Sequence, residues 1–210
     1  MSDVAAPLEI HVHLVDGSII GFQQPDPELA KQIIASTRPE KLFSQPQLRL
    51  AGEAYATLFP MAAVARLDFI GEELAGWGDG RELSHMEQIT KEEFEQHRLD
   101  AGPRPPREGQ EPPGDEPLIL YREIVLTNGE RVYSAAHLSP PREHAADGPR
   151  AAAIDLSMMI RHELDGPALG CRRAGGGVIL INPHNVLRLT VHPGPPEVAP
   201  GSWAAEWVQG

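Results

Sequence analysis

The sequence predicts an α+β, β-rich chain built from two tandem small twisted β-barrel or sheet units, with one helix inserted in each. Three observations carry this prediction. Residues 9–22 (EIHVHLVDGSIIGF) and 122–134 (REIVLTNGERVYS) are both strand–turn–strand patterns, closed by Asp16-Gly17 and Asn128-Gly129. Segments 62–69 (AAVARLDF) and 184–191 (HNVLRLTV) share Val-x-Arg-Leu, so Val64, Arg66 and Leu67 recur as Val186, Arg188 and Leu189. Finally, 21 prolines and 20 glycines among 210 residues interrupt the chain too often for a mostly helical fold. A unit stated twice favours duplicated sheets burying a shared surface, and with it a scaffold rather than an enzyme.

In the first unit (8–72), Ile10, Val12 and Leu14 alternate with His11 and His13, the period-2 spacing of a strand. Asp-Gly and Asn-Gly accept the positive φ that a tight hairpin turn requires. Asp26 as N-cap and Pro27 at the first helical position open a helix over 27–37, with Leu29, Ile33 and Thr37 along one side. Strands follow at 47–51, 54–59 and 63–69, the last after a break at Pro60.

Residues 73–117 connect the units. Ser84-x-x-Glu87 and Thr90-x-x-Glu93 each offer a capping box for a polar helix ending near Leu99. Residues 101–117 carry six prolines and three glycines, the composition of a surface linker. The second unit (118–192) repeats the order: a hairpin through Ile124, Leu126 and Val132, then a helix over 153–164. The spacing at 153–164 also fits a strand, and analogy with the first unit selects the helix. Strands at 168–173 and 178–182 flank the turn Gly175-Gly176-Gly177, and 186–191 closes the unit. A Pro/Gly arm, 193–210, carries Trp203 and Trp207 four residues apart, on one side of a helical turn.

Net charge is −12, unevenly spread: residues 1–100 hold 8 Lys/Arg against 17 Asp/Glu, and residues 118–210 hold 8 Arg against 9 acids. The acidic first half repels polyanions, which disfavours broad nucleic-acid binding and leaves room only for a local arginine site. One cysteine, Cys171, excludes an internal disulfide and fits a reducing compartment. The N-terminal stretch has no signal-peptide pattern, and no apolar run reaches membrane-helix length, so a cytoplasmic protein is expected.

The order of strand, Gly turn, strand, connection, two strands, short break and final strand resembles the small barrel of the Sm and Hfq family. The turns before the closing strands carry the likeness: Phe59-Pro60-Met61-Ala62-Ala63-Val64 and Ile181-Asn182-Pro183-His184-Asn185-Val186. The resemblance implies a small twisted β-barrel or half-barrel. Where the family has an RNA-contacting lysine, Met61 or Pro183 stands here, and His184 falls on its histidine. The family's helix precedes its first strand, whereas this chain places one between the second and third.

Candidate site residues follow from these patterns. Arg66 and Arg188, pointing outward if Leu67 and Leu189 point inward, are candidates for an anionic ligand or RNA. Arg172 and Arg173 beside the glycine triplet, and His184, join that set. Asp68, on the same face as Arg66, offers the simpler role of neutralising it. His11 and His13 share a strand face and are candidates for a metal pair, but a solvated outer face explains them more simply and no metal is expected. No cofactor is expected. Cys171 with His162 or His184 is the one nucleophilic pairing available, and a structural cysteine is the default. No nucleophile elbow, zinc-protease motif or paired Cys-x-x-Cys is present. The expected function is therefore a noncatalytic scaffold or adaptor, with no catalytic residues. It assembles with itself or another protein through strand edges and Trp203 and Trp207. The alternatives are an Sm-like RNA- or anionic-ligand-binding module and a small enzyme with a histidine-based site.

Overall fold

The computed structural model describes residues 8–52, 55–71, 86–100, 118–138 and 164–192. These form an α+β, β-rich structure whose main element is a nine-stranded sheet in the order β11-β7-β8-β6-β9-β10-β5-β1-β2, beside a two-stranded β3-β4 sheet. The described strands do not form a closed barrel.

Two hairpins anchor the sheet. β1 (Leu8–Leu14) and β2 (Ile19–Gln24) pair across the Asp16-Gly17 turn, with Val12 opposite Ile20. β7 (Leu118–Leu126) and β8 (Arg131–Leu138) pair across Asn128-Gly129, with Ile124 opposite Val132. Gly17 and Gly129 adopt φ of 86° and 87°, which a side chain would resist. Each hairpin receives a return strand on its first member. β5 (Val64–Ile70) joins β1 with Leu14 opposite Val64, and β11 (Val186–His192) joins β7 with Leu126 opposite Val186. Each return strand is entered through a 3-10 turn, Met61–Ala63 or Pro183–Asn185.

α1 (Pro27–Ser36) starts as its sequence dictates: the Asp26 carboxylate accepts from the Glu28 and Leu29 amides, with Pro27 in the first turn. A short α2 (Pro39–Leu42) leads to β3 (Gln47–Ala51) and β4 (Ala56–Pro60). The region expected to be one helix from Ser84 divides instead. β6 (Met86–Gln88) is a strand inserted between β8 and β9, and only α3 (Lys91–Asp100) is helical. The Thr90 box forms, with Glu93 accepting from the Thr90 amide at 2.7 Å and Thr90 Oγ1 accepting from the Glu93 amide at 3.1 Å. Ser84 lies outside the described residues, and its box partner Glu87 sits in β6 opposite Ala135, where ladder bonds take the place of a helical turn. The expected helix at 153–164 falls, but for Leu164, outside the described residues, as does the arm with Trp203 and Trp207.

β9 (Leu169–Arg172) and β10 (Val178–Ile181) form a hairpin across the glycine triplet. Every residue of β10 is buried, since it lies between two cores. Val178 and Leu180 join Ile10, Val12, Leu67 and Phe69 beneath β3, β4, α1 and α2. Ile179 and Ile181 join Ala65, Ile124, Val132 and Cys171 on the other face. A strand covered on both sides reads as an unbroken apolar run, as Val-Ile-Leu-Ile does. β10 also pairs with β5 (Leu180 opposite Leu67), which makes it the strand joining the two halves of the chain.

Candidate functional site

The richest cluster of polar side chains lies where the second half closes on β1 and β5. Strand alternation turns His13, Arg66 and Asp68 away from the face of Ile10, Leu67 and Phe69. The β7–β8 turn then covers them. His13 is only 6 % exposed, and its Nδ1 lies 2.9 Å from Glu130 Oε1. Its Nε2 is 3.5 Å from Asp68 Oδ2, an ion-pair distance rather than a formed hydrogen bond. Arg66 grips Asp68 with two bonds, Nε to Oδ1 at 2.6 Å and Nη2 to Oδ2 at 2.5 Å, and its Nη1 approaches Glu130 at 3.8 Å. Asn128 Nδ2 donates to the Leu14 carbonyl at 3.0 Å, pinning the turn in place.

The electrostatics agree with this geometry. Burial opposes a charge on His13, but the Asp68 and Glu130 carboxylates outweigh it and raise the imidazole pKa. Burial likewise opposes ionisation of Asp68, and His13 and Arg66 outweigh it and lower its pKa. The bond from His13 lowers that of Glu130. The solvated outer face expected for His11 and His13 therefore holds only for His11, which is half-buried beside Glu9 at 3.4 Å. His13 is enclosed because a turn 117 residues away in sequence lands on it. Among the described residues no three His, Cys, Asp or Glu side chains are arranged to hold a metal ion.

A second contact runs along the 3-10 turns. Asn182 Nδ2 donates to the carbonyls of Met61 (3.2 Å) and Val64 (3.0 Å), and Asn185 Nδ2 to those of Ala62 (3.2 Å) and Val64 (2.9 Å). Both asparagines are buried, so these bonds satisfy groups that water does not reach. In the sequence they stand only as residues of the turn before the closing strand. Asparagines flanking a Pro-His pair give no sign of partners across the molecule.

Three of the four arginine candidates lie beside acids. Arg66 belongs to Asp68 and Glu130. Arg188 Nη2 donates to Glu123 Oε2 at 2.7 Å, and Arg172 Nη1 lies 3.9 Å from Glu87. Arg173 bonds the Ala174 carbonyl at 3.4 Å, beside a hairpin turn rather than a phosphate loop. His184 is exposed on its turn, its amide donating to Asn182 Oδ1 at 3.1 Å. Arg122 is fully buried, donating to Ser134 Oγ at 3.0 Å and the Gly170 carbonyl at 3.4 Å, and burial lowers its pKa. Alternation could have found it: Arg122 is in phase with Leu120, Ile124 and Leu126 on the core face. Cys171 is buried, and burial pushes its thiol up to about 11, too high for a thiolate near neutral pH.

The His13 cluster thus behaves as a clasp. A cavity of about 730 Å³, lined by Ile10, Leu67 and Phe69 among others, lies on the opposite face of the same strands. His13, Arg66 and Asp68 do not line it, so a substrate held there would not meet them. No family model, no curated protein and no solved structure matches this chain. No described helix is long and apolar enough to cross a membrane.

Proposed function

We propose that this chain is a noncatalytic assembly module, two small β-units in tandem that join copies of the chain by adding strand edge to strand edge. The observation that carries this reading is the β10–β5 pairing. β10 is the strand before the 3-10 turn of the second half, and β5 the strand after the turn of the first. Their counterparts, β4 and β11, are each paired on one side only among the described residues, with β3 and β7. Each of these two strands exposes a large apolar side chain, Leu58 at 56 % and Leu187 at 70 %. An edge with unpaired backbone groups and exposed leucines is a template for another strand. Joining β4 of one copy to β11 of the next repeats the internal contact between chains. Such a head-to-tail contact makes a ring where the rotation closes and a filament where it does not. The acidic surface, net −12, disfavours polyanions as the partner.

Native mass spectrometry and sedimentation across a wide concentration range test this. A discrete oligomer is expected, dissociated by Leu58→Lys or Leu187→Lys with the fold intact by circular dichroism. A chain that stays monomeric throughout, or an oligomer indifferent to both substitutions, would sink the reading.

A further inference from the structure

The cavity of about 730 Å³ between α1, α2, β3 and the sheet has a size and lining that the assembly reading leaves unused. It falls within the range of small-molecule sites, roughly 300–1,000 Å³. Its floor is apolar: Ile10, Leu67 and Phe69 come from the buried face of β1 and β5. Its walls include Ile33, Leu48 and Leu50, which pack on the core yet stay only half-buried because the space between them is open. Apolar surface left facing water inside a concavity is the part of a site that a hydrocarbon chain improves.

The charge at this cavity runs against the rest of the molecule. Residues 1–100 carry 17 acids and 8 bases, yet Arg38, Lys41 and Arg49 all line this one cavity and none of its lining residues is acidic. These three side chains are exposed, and no described carboxylate forms an ion pair with any of them. Arg49 is oriented without being neutralised: with its amide turned to suit its neighbours, the Gln47 carboxamide oxygen accepts from Nε at 2.8 Å and Nη2 at 2.6 Å. An apolar floor beneath an unneutralised cationic rim is complementary to one chemical class.

We propose that this cavity binds a single-chain anionic amphiphile. The hydrocarbon chain lies on Ile10, Leu67 and Phe69, and a carboxylate or phosphate head is held by Arg38, Lys41 and Arg49. The ligand is taken from free solution as a monomer. The site is a concavity rather than a flat face, and a chain of net charge −12 is repelled by an anionic bilayer. Arg38 is the N-cap residue of α2, Lys41 lies in its last turn, and Arg49 lines the cavity from β3, so the cations come from two elements.

The test is calorimetric titration of the full chain with dodecanoate below its micellar concentration, with dodecanol and acetate as chain-only and head-only probes. One saturable site per chain is expected, with dodecanoate bound more tightly than either. Arg38→Gln, Lys41→Gln and Arg49→Gln combined should weaken dodecanoate about tenfold or more and leave dodecanol unchanged. These side chains are exposed, so the variant's unliganded melting curve should match the parent's. Leu50→Trp, which fills the cavity, should weaken both long-chain probes.

Several outcomes overturn the proposal. They are absence of saturable binding, equal affinity for dodecanoate and dodecanol, a triple variant that binds as the parent does, and binding only to anionic vesicles. Binding that appears only after residues 193–210 are removed would also overturn it, because the chain's own arm would then be the occupant.

Discussion

The two 3-10 turns follow the same backbone course and do opposite work. Met61–Ala63 presents carbonyls, and Pro183–Asn185 with Asn182 supplies the side-chain amides that bond them. At the places of Asn182 and Asn185 the first turn has Pro60 and Ala63, neither of which has a side-chain donor. The arginines diverge in a similar way. Arg66 finds its carboxylate two residues along its own strand, at Asp68, whereas Arg188 finds Glu123 across the ladder on β7. Relative to Gly17 and Gly129, His13 stands where the second hairpin has Val125. The strand scheme is stated twice, but the chemistry that locks the halves together runs one way. The contact between copies proposed for β4 and β11 would lack the asparagine bonds and is expected to be weaker than the internal one.

The sharpest way to break this comparison is at Gly177, where β10 begins beside β5. Its φ is +109°, and a Cβ there would stand 2.1 Å from the Phe69 carbonyl oxygen. Gly177→Ala is expected to cost about 3–5 kcal/mol, the sum of left-handed strain and overpacking. Urea unfolding measures it, and a loss under about 1 kcal/mol would show the halves are not held this closely. Next comes the double variant Asn182→Ala with Asn185→Ala. It removes four cross-molecule hydrogen bonds, two of them to the carbonyl of buried Val64, and should cost about 2–4 kcal/mol. A negligible change would mean water replaces the amides.

A smaller effect isolates the clasp. Because folding raises the His13 pKa, its contribution is complete below the ordinary value of 6.5 and is lost as pH rises through the folded value. Asp68 and Glu130 are lowered, so theirs is present above the ordinary 3.8 and 4.5 and lost as pH falls through the folded values. The clasp is therefore strongest between 4.5 and 6.5. His13→Val, which writes the second hairpin's residue into the first, should cost about 1 kcal/mol in that window and flatten the alkaline side of the stability profile. An unchanged profile would place the titrating group elsewhere. The mildest change for folding is Pro60→Asn with Ala63→Asn, which copies the donor pair into the first turn. Folding stability should stay within about 1 kcal/mol, while self-association tightens about tenfold. Sedimentation decides it: an unchanged association constant would mean β4 does not meet β11.

Much of the scaffold was legible because its signals are local. Asp16-Gly17 and Asn128-Gly129 specify their turns by backbone preference, and Asp26-Pro27 specifies a helix start. The Thr90 box was equally readable, but Ser84-x-x-Glu87 misled, since a three-residue strand takes its stability from β8 and β9 rather than from its own residues. The phase of Arg122 was readable too and was passed over. Alternation puts Arg66 on the face of β5 opposite Leu67, yet nothing in Val-x-Arg-Leu says that Glu130 and Glu123 arrive to meet Arg66 and Arg188.

By itself the sequence determined where the two Gly-turn hairpins turn and where the helix at 27–36 begins, because turns and caps depend on neighbours a few residues apart. Only the tertiary structure decided that β10 would join β5, that His13 would be buried, that Asn182 would clamp a turn 121 residues away, and that three cations would gather around one apolar cavity. Those outcomes depend on which surfaces meet when an apolar strand such as β10 is covered on both faces, and burial of that kind is settled by the whole chain at once.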